Sequence, residues 1–95
     1  MEIPNFQLER ILALGSELGA VTALVKSGKL KPYLKKSEAF RMYGRSNIEN
    51  WINAGLITPR KDGEGSAAWR LDRIEIEGLI KAIALHQILF ELSGI

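Results

Sequence analysis

The chain has 95 residues, no cysteine, one histidine and a formal charge of +2. This length specifies one domain with a modest core, and the lack of thiols excludes a disulfide framework and cysteine chemistry. Hydrophobic residues make up 46% of the chain, which excludes a disordered segment, and 11 of its 13 Lys and Arg residues fall between Lys26 and Arg73.

Residues 5–28 predict the first long helix. Asn5 is placed to cap it. Ile11, Leu14, Leu18, Val21, Leu24 and Val25 follow the three-and-four spacing of an apolar stripe. Lys26 suits the negative end of the helix, and Gly28 is a stop. Gly15 and Gly19 each weaken a helix by roughly 1 kcal/mol relative to Ala. With Ala23 they form a small-residue ridge, and the segment reads either as one continuous helix or as two shorter ones.

Residues 29–32 are a connector. Tyr33-Leu34-Lys35 predicts a short extended segment, since Pro32 discourages helix just before it. Ser37 is the expected cap of a helix to about Tyr43, with Glu38 in its first turn. Gly44 makes a turn. Ser46-Asn47-Ile48-Glu49 reads as a capping box opening another helix, with Ile48, Trp51 and Ile52 inward and Gly55 as its end. Residues 56–71 predict a hairpin. Ile57 and Pro59 lie on its first arm, and Asp62-Gly63-Glu64-Gly65-Ser66 supplies turn formers. On the second arm, Trp69 and Leu71 face one way and Arg70 the other; both tryptophans are expected in the core. Asp72-Arg73-Ile74-Glu75 is a second capping box. It opens a helix over 72–93 with Leu79, Ile80, Ile83, Ile88 and Leu89 apolar.

The basic residues are segregated along this layout. The stretch from Lys26 to Arg73 carries a net +6, and the flanking segments carry −2 each. Charge gathered on a compact segment with a basic hairpin suits docking on nucleic-acid phosphates.

The order of these pieces resembles the excisionase and MerR-like winged helix-turn-helix family. The resemblance rests on Tyr33-Leu34, Ser37-Glu38-Ala39-Phe40, Gly44, the run from Ile48 to Ile57 containing Trp51-Ile52 and Gly55-Leu56-Ile57, and Trp69-Arg70-Leu71-Asp72. It covers about 40 residues, and the terminal helices lie outside it. One departure is that Gly44 to Trp51 is about two residues shorter than the family's turn, which rotates the side chains that would face a base. The implied fold is mainly α with a small β-hairpin: a winged helix-turn-helix over 33–71, between long terminal helices in a single domain. The implied function is sequence-specific binding of double-stranded DNA by a small excisionase-like factor or transcription regulator, cytoplasmic and nucleoid-associated.

Under that resemblance the helix from Ser46 enters the major groove and the hairpin is the wing. Asn47 and Asn50 carry amides that match adenine, and Arg45 suits guanine or a phosphate. Arg60, Lys61 and Arg70 would meet phosphates, with Arg70 at the family's aromatic-Arg position. Lys35, Lys36 and Arg41 would grip the backbone. Each of these is equally an ordinary solvated side chain, with Ser46 serving only as a cap. Glu49 would repel phosphates and is assigned to the capping box.

The apolar residues of the terminal helices exceed what one small domain buries. The two helices pack antiparallel within the monomer or pair across a two-fold axis, and the expectation adopted is a homodimer through the terminal helices. The alternative function is a protein–protein adaptor, for example in a phage or recombination complex. An enzyme is not expected: His86 has no metal spacing and no partner acid nearer than Glu91, and Gly63-Glu64-Gly65 lacks the context of a phosphate loop. No cofactor or metal is implied. Met1-Glu2-Ile3-Pro4 is no secretory signal. The most apolar stretch, 79–92, is broken by Lys81, His86, Gln87 and Glu91, so no membrane partner is expected.

Overall fold

A computed structural model describes residues 3–61 and 69–93. The turn formers from Asp62 to Ser66 lie outside the described residues. Of the described residues, 71% are helical. The elements are α1 (Asn5–Lys26), β1 (Tyr33–Lys35), α2 (Lys36–Tyr43), α3 (Arg45–Asn53), β2 (Arg60–Lys61), β3 (Trp69–Asp72) and α4 (Arg73–Ser93).

The first helix is continuous through Gly15 and Gly19. Asn5 does not cap it; the helix opens from Pro4, with no side-chain cap. Proline suits a helix start because its missing N–H would have no partner there. The exit follows the expected chemistry. Gly28 sits at φ 80, its N–H donates to the Val25 carbonyl, and the Lys29 N–H donates to the Leu24 carbonyl. That pair of bonds satisfies carbonyls the helix end leaves open. The third helix ends the same way at Gly55, with Leu56 N–H on the Trp51 carbonyl and Gly55 N–H on the Ile52 carbonyl.

The caps of the two short helices differ from the sequence reading. Helix α2 opens at Lys36, so Ser37 lies inside its first turn. Glu38 supplies the cap instead, accepting the Lys35 backbone N–H at 3.2 Å. Helix α3 opens two residues earlier than expected, from Gly44 rather than Ser46, with no side-chain cap. Ser46 is therefore not a cap, and Glu49 turns to Arg45 at 2.8 Å. The cause is the tight junction: Gly44 alone separates α2 from α3, which leaves no room for Ser46 to stand before the helix. At the start of α4 the prediction holds by half. Asp72 Oδ1 accepts the N–H groups of Ile74 and Glu75 at 2.9 and 3.3 Å, but the Glu75 carboxylate goes to the Thr58 N–H at 2.7 Å. That bond ties the loop after α3 to α4.

The three strands form one antiparallel sheet in the order β1-β3-β2. Its inner row is Leu34 opposite Leu71, both fully buried. They join Ala39, Ile48, Ile57 and Ile76 in the core, with Phe40, Trp51, Ile52, Leu79 and Ile80 packed around it. Trp51 is thus partly buried, as expected. Trp69 is not in the core: it is 44% exposed. It does share the Leu71 face by the period of two. However, β1 ends opposite Arg70, so Trp69 stands past the covered part of the sheet.

Helices α1 and α4 pack antiparallel within the chain. Arg10 meets Glu91 at 3.3 Å, and Lys81 meets Glu17 at 2.9 Å. Among the described residues, no helix is long and apolar enough to cross a membrane.

Candidate nucleic-acid interface

Strand register assembles the basic residues of the sheet. In the antiparallel pairing, Lys35 stands opposite Arg70 and Arg70 stands opposite Arg60. Directly opposed residues share a face with Cβ atoms about 4.5–5.5 Å apart. The three cations therefore form one row across the whole sheet, on the face away from Leu34 and Leu71. All three are exposed.

Two shallow depressions flank the row. Arg70 borders one with Lys31, Tyr33, Lys35 and Glu38, and the other with Tyr33, Arg60 and Lys61. The acid in the first depression is already engaged. Glu38 accepts from Lys31 Nζ at 2.9 Å and from the Lys35 N–H. The Lys31 hydrogen bond and then the Lys35 N–H hold its carboxyl below the ordinary range.

At the end of the sheet, exposed Trp69 lies between two lysines. Lys36 Nζ and Lys61 Nζ are each 5.9 Å from its ring centroid. Ammonium groups over an indole face are attracted by the ring quadrupole. This contact collects Lys36 and Lys61 at Trp69, on the face opposite the Lys35–Arg70–Arg60 row.

The remaining candidates form a second group on α2 and α3. Arg41, Arg45, Ser46, Asn47 and Asn50 are all exposed. Asn47 is committed internally: its Nδ2 donates to the Tyr43 carbonyl at 2.9 Å, which caps the end of α2. Arg45 pairs with Glu49 and lies 5.5 Å over the Phe40 ring. No hydrogen bond among the described residues holds the Asn50 amide. Of the α3 set, Ser46 and Asn50 are exposed and make no side-chain hydrogen bond among the described residues.

Sequence reasoning missed three participants. Lys31 neutralises Glu38 beside the row. Tyr33 stands on the row's face, two residues from Lys35. Trp69 was assigned to the core and is exposed. The period of two was the available signal for Tyr33; nothing local marks where the sheet ends. Sequence reasoning also missed Glu77, which accepts the Tyr43 hydroxyl at 2.7 Å. Among the described residues, no group of His, Cys, Asp and Glu could hold a metal ion.

No family model matches the chain, and no curated protein or solved structure shows significant similarity to it.

Proposed function

We propose that this chain binds double-stranded DNA through a winged helix-turn-helix, as a small excisionase-like factor or transcription regulator. The observation that carries the reading is the cross-strand row Lys35–Arg70–Arg60. These three cations share one exposed face of the sheet, and a polyanion is the ligand of complementary charge. Duplex phosphates supply negative charge at the density such a row can use. Lys36 and Lys61, gathered at Trp69, add two cations at the end of the sheet on its other face.

The element order supports the same reading. Helices α2 and α3 joined at Gly44, followed by the β2–β3 hairpin, are the arrangement that the resemblance implies. In this reading α3 lies in the major groove, Asn50 and Arg45 face the bases, and the hairpin grips the backbone through Arg60 and Arg70. Asn47 positions α3 against α2 rather than reading a base.

Fluorescence anisotropy with a mixed-sequence duplex across a salt series tests this. Each neutralised phosphate contributes about −0.9 to the slope of log affinity against log salt. The intact chain should give a slope of about −3 or steeper. Replacing Lys35, Arg60 and Arg70 together by Ala should flatten it by about 2–3, with the helical circular dichroism unchanged. Binding that ignores the triple substitution sinks the row as the interface. No binding at low salt returns the protein to the adaptor reading.

A further inference from the structure

We propose that Trp69 and the two lysines beside it form a stacking site for an unpaired nucleobase of single-stranded DNA, on the face of the sheet opposite the Lys35–Arg70–Arg60 row. The core does not account for the position of Trp69. The indole shares the inner face of the sheet with Leu71, and Leu71 is fully buried opposite Leu34. Strand β1 pairs only with residues 70–72 of β3, so the indole stands beyond that cover. Of the described residues between Lys26 and Arg73, Trp69 carries the one exposed aromatic ring; Tyr33, Phe40, Tyr43 and Trp51 are all partly buried.

Two cations converge on this ring from different elements. Lys61 is its direct partner across the β2–β3 ladder, and Lys36 is the first residue of α2. Both lysines are exposed. The ion pairs among the described residues involve neither ammonium. At 5.9 Å from the centroid, each ammonium stands at the outer limit of attraction to the ring. Each can therefore turn to an anion without giving up a tight contact.

A flat apolar ring with two ammonium groups beside it selects a ligand that is both aromatic and anionic. An acidic peptide would use the lysines and leave the ring idle. An uncharged apolar ligand would use the ring and leave the lysines idle, and a cation would be repelled. An unpaired nucleotide uses both: its base stacks on the indole and its phosphates take the ammonium groups. Bases in a duplex stack on one another and present only their edges in the grooves, so the bound strand is single. The choice of DNA over RNA rests on the duplex-DNA reading of the opposite face; the stacking site itself does not.

Titration of the full chain at low salt with oligodeoxythymidylate of about eight nucleotides tests this. The readouts are tryptophan emission and the anisotropy of a labelled strand. The expected result is saturable binding with quenched emission. The chain has two tryptophans, and Trp51 packs against the core, so Trp69→Ala should abolish the quenching. It should weaken binding roughly 5- to 150-fold, the range for loss of one base–aromatic stack, and Trp69→Phe should restore part of the affinity. Replacing Lys36 and Lys61 together by Gln should flatten the salt slope by about 1.4, at about 0.7 for each single-strand phosphate. A strand of abasic sugar-phosphates with the same charge should bind the intact chain at least about fivefold more weakly.

Equal binding of the abasic strand overturns the proposal without any variant. So does affinity unchanged in Trp69→Ala with unchanged circular dichroism, and so does no binding at low salt. Tighter binding of oligouridylate overturns the choice of DNA. Replacing Lys35, Arg60 and Arg70 by Ala should flatten the duplex slope and keep the quenching by the single strand, so the duplex row and the stacking site fail separately.

Discussion

Gly44 shows how much one residue decides in this chain. It alone joins α2 to α3, at φ 91 and ψ 133, a conformation open to glycine and strained for any L side chain. A Cβ would meet nothing closer than Asn47 Nδ2 at 3.5 Å, so the cost of Gly44→Ala is conformational rather than steric. We expect it to destabilise the fold by about 1–3 kcal/mol, read as a lowered urea midpoint at constant m-value. The turn at Gly44 was legible in the sequence, but its consequence for Ser46 was not. A capping serine must sit outside the helix, and a one-residue junction draws it inside. Trp69 makes a similar point. Alternation assigned its face correctly, yet burial depends on how far β1 extends, and that is decided by residues far away in the chain.

Between elements, the polar contacts run through a short chain of side chains. Tyr43 of α2 donates to Glu77 of α4 at 2.7 Å, and Lys81 meets Glu77 at 3.7 Å and Glu17 of α1 at 2.9 Å. Both Glu77 and Lys81 retain only 18% side-chain exposure. Glu17 holds the Lys81 ammonium charged beyond the ordinary lysine range. Removing Glu77 would leave a half-buried hydroxyl and ammonium without their shared acceptor. Glu77→Ala should therefore cost about 1–3 kcal/mol, measured by denaturant unfolding near pH 7. Burial first, and then the bond to Glu77, push the Tyr43 phenol above its ordinary value of 10.0. The folded state then keeps a proton that the unfolded state loses, so stability should fall as pH rises above about 10. That slope should be weaker in Tyr43→Phe. The helices themselves were legible from periodicity and from glycine stops. The chain of polar contacts was not, because Tyr43 and Glu77 lie 34 residues apart and neither belongs to a local motif.

For the molecule as a whole, charge and apolar surface are sorted to different places. The net +6 between Lys26 and Arg73 includes the row on the sheet, and among the described residues seven of the 11 exposed large hydrophobic residues lie on α1 and α4. Salt should weaken duplex binding as it rises toward about 0.15 M, where the Debye length is about 8 Å. Lys35→Gln should reduce the slope of log affinity against log salt by about 0.9, read by the same anisotropy titration. By itself, the sequence determined the mainly helical class, the order of the elements, the glycine exits and the basic middle segment. Those are set by residues within one or two turns of each other. Only the tertiary structure decided that Lys35, Arg70 and Arg60 form a row, that Trp69 is exposed, and that α1 and α4 pair within the chain. Each of these depends on strand register or helix docking, which are fixed by the burial of Leu34, Leu71, Ile76 and Ile88 and by no local pattern.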